Sequence, residues 1–222
     1  MRGVVLLLAA GEGARLDGGD AKAFVDLCGV PLVRRSAEAA AAADLVDALV
    51  VASPRGLEAR MADVLTGVSV DVTVVTGGQT RQASAAAALE AVEKGDAVAV
   101  HDAARALCPP SLFDICLAEL DDCEGVCPAL PVSDTIKEVS EDVVVTTLDR
   151  TRLAAVQTPQ AFRIDVYRLA HESAARDGIV ATDDAALVER TGAAVRVIPG
   201  DARNVKITTP HDLAVAEALL RT

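Results

Sequence analysis

The chain has 222 residues, of which 51% are apolar, 24% are charged and only 2% are aromatic. This apolar fraction excludes a disordered chain, and the formal net charge of −12 argues against nucleic acid as the main partner, because an acidic surface with few aromatic rings repels phosphates and offers little stacking. No apolar run reaches the roughly 20 residues that a membrane-spanning helix requires, so we expect no membrane partner. The apolar segment 3–8 is typical of a buried strand rather than of a signal peptide, which predicts a cytoplasmic location.

Apolar, β-favouring segments alternate with Ala-rich segments of helical period along the chain. Strands are predicted at residues 4–8, 46–51, 70–75, 97–100, 125–130 and 195–198. Helices are predicted near residues 32–43, 57–65, 81–92, 111–120, 166–175, 184–190 and 211–220. Strands with successive apolar residues are buried on both faces, as in parallel sheets covered by helices. The pattern therefore predicts an α/β fold with a mostly parallel sheet and right-handed crossovers, and no linker divides residues 1–222 into two domains.

Residues 133–150 depart from this alternation. Their sequence, SDTIKEVSEDVVVTTLDR, has two β-favouring halves around the turn-prone residues Ser140, Glu141 and Asp142. This pattern predicts a β-hairpin, and its polar, alternating character indicates an arm that projects from the core. Such an arm is either covered by a second subunit, which predicts a homodimer, or remains a solvated edge hairpin.

A glycine-rich turn follows the first predicted strand, with the sequence AAGEGARL at residues 9–16. A loop at this place faces the crevice at the carboxyl ends of the strands, and its glycines let backbone N–H groups approach phosphate oxygens. Neither a dinucleotide fingerprint nor a P-loop fits, because Leu16 occupies the position of the third glycine and no Gly-Lys-Ser/Thr follows. The turn predicts a phosphate site, with a simple tight turn as the alternative.

Cations near this turn strengthen the prediction. Arg15 and Lys22 flank a short Gly/Asp-rich loop, and Lys206 is also in a predicted loop. A lysine ammonium suits a developing phosphate charge, and an arginine fork suits two oxygen contacts at once. Each of these residues considered singly could instead be a solvated surface charge.

Three further polar segments, at residues 76–84, 100–105 and 204–208, follow predicted strands or precede the last helix. Because the carboxyl ends of parallel strands share one edge of a sheet, we expect these loops to converge on a single crevice. Asp102 could hold a divalent metal, orient Arg105 or form a local ion pair. For His101, a neutral ring bonded to the backbone is favoured over a titrating role.

Eight short motifs occur in order from residue 9 to residue 208. They are Ala-Ala-Gly-x-Gly-x-Arg with a lysine seven residues on, Gly-Gly-x-x-Arg-x-x-Ser, His-Asp-Ala-Ala-Arg, Asp-Thr-x-Lys, Asp-Arg, Gln-Thr-Pro-Gln-x-Phe, Thr-Asp-Asp and Asn-x-Lys-Ile-Thr. Together they resemble the 2-C-methyl-D-erythritol 4-phosphate cytidylyltransferases of the non-mevalonate isoprenoid pathway. The first motif alone would indicate only the wider nucleotidyltransferase superfamily.

The resemblance implies a three-layer, Rossmann-like nucleotidyltransferase fold and transfer of a cytidylyl group from CTP to 2-C-methyl-D-erythritol 4-phosphate. It implies CTP contacts at Ala9, Ala10, Gly11, Glu12, Gly13, Gly77, Gly78, Ser84, Asp102 and Ala103. The charge that develops at the α-phosphorus would be stabilised by Arg15, Lys22 and Lys206. The acceptor would be bound by Asp102, Arg105 and Thr158, and by Thr135 and Arg150 from the hairpin of the neighbouring subunit. Magnesium (Mg²⁺) would be held mainly by the triphosphate.

Two loops depart from the family pattern, since family members commonly have Pro-Lys-Gln-Tyr where residues 21–24 are Ala-Lys-Ala-Phe, and proline where this chain has Ala106. A proline is thus replaced in each loop, at Ala21 and at Ala106. Each replacement removes a rigid residue from a loop while the adjacent cation remains. Three other interpretations stay open. They are a ribitol-phosphate cytidylyltransferase of the same fold, a molybdopterin or sugar-1-phosphate nucleotidyltransferase, and a nucleotide-binding module without activity.

Overall fold

The computed structural model describes residues 1–11 and 21–221. Its strands are β1 (Gly3–Leu8), β2 (Asp26–Leu27), β3 (Val30–Pro31), β4 (Val46–Ser53), β5 (Asp71–Thr76), β6 (Ala97–Asp102), β7 (Gly125–Pro131), β8 (Lys137–Ser140), β9 (Val143–Thr147), β10 (Ala154–Val156), β11 (Gln160–Arg163) and β12 (Val195–Pro199). Its helices are α1 (Leu32–Ala41), α2 (Glu58–Leu65), α3 (Arg81–Glu90), α4 (Pro110–Ala118), α5 (Ile164–Asp177), α6 (Asp184–Glu189) and α7 (Pro210–Leu220). All the strands and helices predicted from the sequence are present.

One eight-stranded sheet organises the molecule, in the order β10-β7-β11-β6-β1-β4-β5, with β12 also paired with β7. The pairs among β5, β4, β1 and β6 are parallel, as is the pair of β12 with β7. The exceptions are β11, which runs antiparallel between β6 and β7, and β10, which is antiparallel to β7. The prediction of a mostly parallel sheet is therefore confirmed, and the two short antiparallel strands are additions to it.

Helices cover both faces of this sheet, which confirms the three-layer α/β fold. Successive residues of a strand point to opposite faces, so Val5 and Leu7 pack in a core with α1, α2 and α4. Val4 and Leu6 pack in a second core with α3, α5 and α6. Because both faces are apolar, β1 is buried from Gly3 to Leu7 and only its last residue, Leu8, is partly exposed, as its unbroken apolar sequence indicates.

The predicted hairpin is present as the separate two-stranded sheet of β8 and β9. Its two-residue turn is formed by Glu141 (φ 46°) and Asp142 (φ 66°), because Ser140 pairs with Val143. Two successive positive φ values match the twist of a two-residue hairpin turn. Every residue of both strands is exposed in the single chain, so this arm (residues 133–150) has little contact with the core.

The parallel register brings several loops to one edge of the sheet. Leu8 is paired with both Ala52 and Asp102, so the loops that follow β1, β4 and β6 begin at the same level. The last loop, before α7, is held at this edge because Ile207 donates its N–H to the carbonyl of Ala104 at 2.8 Å. Within the part of the chain that the structure describes, no helix has the length and apolar character to cross a membrane.

Candidate active site

A cleft of about 590 Å³ opens at this edge of the sheet, beyond the carboxyl ends of β1 and β6. Among the described residues, its lining contains three cations, Lys22, Arg81 and Lys206, and one carboxylate, Asp102. The lining is thus positive, although the whole chain carries a net charge of −12. Such a local concentration of cations suits an anionic ligand.

The backbone after β1 forms one wall of the cleft. Ala9, Ala10 and Gly11 all line it, and their contact with phosphate stays a prediction. Ala9 is anchored by donating its N–H to the carbonyl of Ala52 in β4 at 3.0 Å. The predicted site residues Glu12, Gly13 and Arg15 lie outside the described residues.

Two glycines allow the loop after β5 to pack closely against its neighbours. A Cβ on Gly77 would lie 2.3 Å from the Cβ of Ala10, and one on Gly78 would lie 2.4 Å from the Cβ of Ala83. Ser84 accepts a hydrogen bond from the N–H of Gly78 at 3.1 Å. Gly78 and Ser84 line the cleft, whereas Gly77 lies against Ala10, one residue behind that lining. Any side chain at these glycines would force the two walls apart.

Asp102, the last residue of β6, lies at the centre of the charged groups and is only 7% exposed. Its Oδ1 accepts a hydrogen bond from Nε of Arg81 at 3.0 Å, and its Oδ2 lies 2.6 Å from Nζ of Lys206. Burial opposes its ionisation, but the two cations hold the pKa of Asp102 well below its usual range. Of the three roles considered from the sequence, the structure shows local ion pairing, with Arg81 and Lys206 rather than with Arg105.

Behind Asp102, two buried polar side chains support the end of β6. The hydroxyl of Thr158 accepts a hydrogen bond from the N–H of Asp102 at 3.1 Å and lies 3.1 Å from Nδ1 of His101. It donates to Nδ1 when the ring proton is on Nε2, which lies 3.4 Å from the carbonyl of Arg105. Burial lowers the pKa of His101 to about 4, so its ring is neutral at physiological pH, as predicted. Thr158 is itself buried and does not line the cleft, and its predicted acceptor contact stays a prediction.

A second buried network holds the loop that carries Lys206. Arg105 donates from Nη1 to the carbonyl of Asn204 at 2.7 Å. Gln157 exchanges two hydrogen bonds with the backbone of Asp201, at 2.9 and 3.1 Å. Arg105 therefore contacts this loop rather than the cleft. Gln157 and Asn204 belong to two of the motifs in the sequence, but no local sequence pattern indicates that they contact each other.

Lys22 starts a short 3₁₀ helix, Lys22–Phe24, after the undescribed segment. Phe24 is buried, and the guanidinium of Arg60 lies 4.0 Å from the centroid of its ring. This cation–π contact packs α2 against the short helix, which follows Ala21, the residue in the position of the family's proline. Lys22 and Ala23 both line the cleft.

The remaining predicted residues fall into two groups. Ala103 lines the cleft beside Asp102. Thr135 and Arg150 are exposed residues of the arm and do not line the cleft of their own chain. Arg150 donates from Nη1 to the carbonyl of Ser133 at 2.5 Å, which ties the two ends of the arm together. Their predicted role in a neighbouring subunit stays a prediction.

Arg81 is the site residue that sequence reasoning missed. It belongs to the Gly-Gly-x-x-Arg-x-x-Ser motif and was given no predicted role, yet it lines the cleft and bonds to Asp102. Its position shortly after Gly77 and Gly78, as the first residue of α3, was the available signal.

Comparison with known proteins gives one family. The family model for 2-C-methyl-D-erythritol 4-phosphate cytidylyltransferase (IspD) matches residues 4–222. The enzyme of that name from Rhodococcus opacus (strain B4) is 47% identical over 220 residues, covering 98% of this chain and 94% of the relative. A "Bifunctional enzyme IspD/IspF" from Nitratidesulfovibrio vulgaris (strain DP4) is 44% identical, and this chain spans only 58% of its length.

Solved structures agree with the sequence comparisons. The 2-C-methyl-D-erythritol 4-phosphate cytidylyltransferase of Thermus thermophilus superposes with a TM-score of 0.83 at 34% identity, covering 100% of both chains. A 4-diphosphocytidyl-2C-methyl-D-erythritol synthase from Anaerococcus prevotii DSM 20548 superposes with a TM-score of 0.89 at 25% identity, covering 100% of this chain and 96% of the other. These matches confirm the resemblance and the Rossmann-like fold. The chain belongs to the 2-C-methyl-D-erythritol 4-phosphate cytidylyltransferase family.

Proposed function

We propose that this chain transfers the cytidylyl group of CTP to 2-C-methyl-D-erythritol 4-phosphate, giving 4-diphosphocytidyl-2-C-methyl-D-erythritol and pyrophosphate. The observation that carries this proposal is the cleft, in which three cations and one carboxylate of the described residues meet at the strand ends of a strongly acidic chain. Family membership supplies the identity of the two substrates. Bringing two anions together is the physical task that such a cleft performs.

The reaction is an in-line displacement at the α-phosphorus of CTP. A phosphate-monoester oxygen of the acceptor forms the new P–O bond, and the bond from the α-phosphorus to the bridging oxygen breaks, with pyrophosphate leaving. The attacking oxygen is already an anion near neutral pH, so no general base is required. The buried, neutral His101 agrees with this, because its ring is fully enclosed by protein.

Lys22 and Lys206 are the proposed catalytic cations, together with Arg15. Both lysines line the cleft, and their ammonium groups can neutralise charge that builds on the equatorial oxygens of the α-phosphorus. Lys206 also lies 2.6 Å from Asp102, so its ammonium is held in place before a substrate arrives. Pre-orientation of this kind avoids reorganisation during the reaction.

The nucleotide is proposed to lie along the walls formed by the loops after β1 and β5. Backbone groups of residues 9–13 would bind the triphosphate. Gly77, Gly78 and Ser84 would frame the cytosine, and Ala103 with Asp102 would complete the nucleotide site. This is supported by the cleft lining, which includes all of these residues except Gly77, and Gly77 packs against Ala10 directly behind it.

A divalent cation is general in nucleotidyltransferases, and we propose that it is Mg²⁺. The described lining offers one carboxylate, Asp102, and both of its oxygens are already paired with cations. No cluster of three potential metal-ligating side chains occurs among residues 1–11 and 21–221. This donor set suits a cation bound mainly by triphosphate oxygens and water, because Asp102 could serve as a ligand only by giving up one of its two ion pairs. Such a cation would offset the charge of the triphosphate.

The acceptor is proposed to bind between two subunits of a homodimer. Asp102, Arg105 and Thr158 would act from one chain, and Thr135 and Arg150 from the arm of its partner. The arm supports this because Val139, Val143, Val144 and Val145 are between 54% and 67% exposed in the single chain. Exposed valines on a projecting hairpin favour coverage by another surface.

Pyrophosphate release tests the proposed function directly. The purified chain is incubated with CTP and Mg²⁺, with 2-C-methyl-D-erythritol 4-phosphate, with ribitol 5-phosphate, or without an acceptor. We expect rapid release only with the methylerythritol phosphate. Preference for ribitol 5-phosphate would assign the chain to a different acceptor. Thermal stabilisation by CTP without any pyrophosphate release would indicate a binding module instead.

A further inference from the structure

A buried acidic residue outside the cleft is connected to the charged groups within it. Asp184 is the first residue of α6, and its side chain is 1% exposed. Its Oδ1 accepts a hydrogen bond from the hydroxyl of Tyr167 at 2.6 Å, and its Oδ2 accepts one from Nη1 of Arg81 at 2.5 Å. A buried carboxylate is costly unless it is paired, and here both oxygens are paired.

Arg81 joins this buried carboxylate to the cleft. Its Nη1 bonds to Asp184 and its Nε bonds to Asp102, so its planar guanidinium is held from two sides. Burial alone would lower the pKa of Arg81, but the two carboxylates raise it above its usual value. Asp102 in turn pairs with Lys206. The four side chains therefore form a row of alternating charge, Asp184, Arg81, Asp102 and Lys206, that runs from the core to the cleft.

The inner end of this row is fixed to the sheet by a glutamine. Gln160 in β11 donates from Nε2 to Oδ2 of Asp183 at 2.8 Å and accepts a hydrogen bond from the N–H of Ala185 at 3.0 Å. Asp183 also caps α6 by accepting from the N–H of Ala186 at 3.0 Å. The residues on both sides of Asp184 are thus tied to a central strand, which gives its carboxylate a defined position.

We propose that Asp184 is a positioning residue for this cleft, which acts through Arg81 to fix the orientation of Asp102 and hence of Lys206. The proposal rests on the proposed function. Without the inner carboxylate, the guanidinium of Arg81 would have Asp102 as its one remaining ion-pair partner in the row. Arg81 would then shift toward Asp102 and compete with Lys206 for its carboxylate. A misplaced Lys206 weakens an interaction needed mainly in the transition state, which lowers kcat more than it raises KM.

The test is a double-mutant cycle on pyrophosphate release. Asp184→Asn is expected to lower kcat by about 10- to 100-fold, the size of effect that a small misplacement causes, with KM for CTP changed less than about threefold. In an Arg81→Gln background, Asp184→Asn is expected to lower kcat by less than a further factor of about three, because the connection is already broken. A purely structural role predicts the same loss in both backgrounds.

Equal losses in the two backgrounds, an effect confined to KM for CTP, or a kcat for Asp184→Asn within threefold of the parent would each overturn the proposal. Asp114→Asn is the matched control and is expected to leave kcat unchanged. Asp114 likewise accepts a hydrogen bond, from the backbone N–H of Leu45 at 2.8 Å, but it lies in α4 on the other face of the sheet.

Arg81→Lys keeps the proposal testable if Asp184→Asn does not fold. This variant retains the charge, but a single ammonium group cannot span both carboxylates as the guanidinium does. Its kcat is expected to fall to within about threefold of that of Arg81→Gln, and a kcat equal to the parent's would overturn the proposal. A parent chain that releases no pyrophosphate would contradict the proposed function instead, so the two failures are distinguishable.

Discussion

The cleft and the arm of this molecule differ in how many of their side chains are buried and bonded within a single chain. Around the cleft, Asp102, Thr158 and Asn204 are all buried, and each makes hydrogen bonds or ion pairs within the chain. In the arm, every residue of β8 and β9 is exposed, and the apolar ones have no cover from the core. A single chain therefore completes the contacts of these residues around the cleft, whereas it leaves the apolar residues of the arm exposed.

The largest expected effect comes from removing a cleft cation. Lys22→Ala should lower kcat by about 10²- to 10³-fold, as loss of one preorganised charge-stabilising group does. The fold should survive, because Phe24 and not the lysine is buried in the core. Steady-state pyrophosphate release measures kcat, and thermal unfolding checks the fold. Near-normal turnover by a folded variant would show that Lys22 is not a catalytic residue.

A second prediction concerns His101, which belongs to the buried network behind the cleft. The pKa of His101 is about 4 in the folded chain, against about 6.5 for an exposed histidine, so the unfolded chain binds a proton first as pH falls. The stability that this neutral histidine contributes is present above pH 6.5 and is lost between pH 6.5 and 4. That loss amounts to about 3 kcal/mol in the free energy of unfolding.

Denaturant unfolding at several pH values measures this effect. The free energy of unfolding of the parent should fall more steeply between pH 6.5 and 4 than that of His101→Gln, which has no titrating ring. The steeper fall should not depend on protein concentration, since His101 is enclosed by its own chain. Parallel profiles for the two proteins would contradict the assignment of a buried neutral His101.

The smallest expected effect probes the arm. Arg150→Ala should raise KM for 2-C-methyl-D-erythritol 4-phosphate by about tenfold, the effect of losing one charged contact, and KM for CTP by less. Arg152→Ala is a matched control, because Arg152 is an exposed arginine of the same 3₁₀ helix, Arg150–Arg152. A larger effect on KM for CTP would argue against the acceptor role.

Sedimentation measures the oligomeric state on which the same prediction depends. The parent should sediment as a dimer at the concentrations used for the assay, because the arm is proposed to reach a neighbouring subunit. A monomeric and fully active parent would show that the arm needs no partner, and the proposed intersubunit site would be wrong.

The sequence by itself determined the order of the long strands and helices and the family. Unbroken apolar segments such as β1 report burial on both faces, and local periodicity reports helices. The short strands β10 and β11 escaped prediction because three or four residues carry little periodic signal. Their place in the sheet depends on pairing with β6 and β7, which are distant in sequence.

Part of the site was also predictable from the sequence. Lys22, Asp102 and Lys206 were predicted to gather at the strand ends, because loops after parallel strands share one edge, and the structure brings all three into the cleft. Only the tertiary structure decided which charges pair. Arg81 meets Asp102 and Asp184 across 21 and 103 residues of sequence, and an ion pair over such separations leaves no local pattern. Residue types and spacing indicate which groups can interact, but their partners are set by the packing of the three layers.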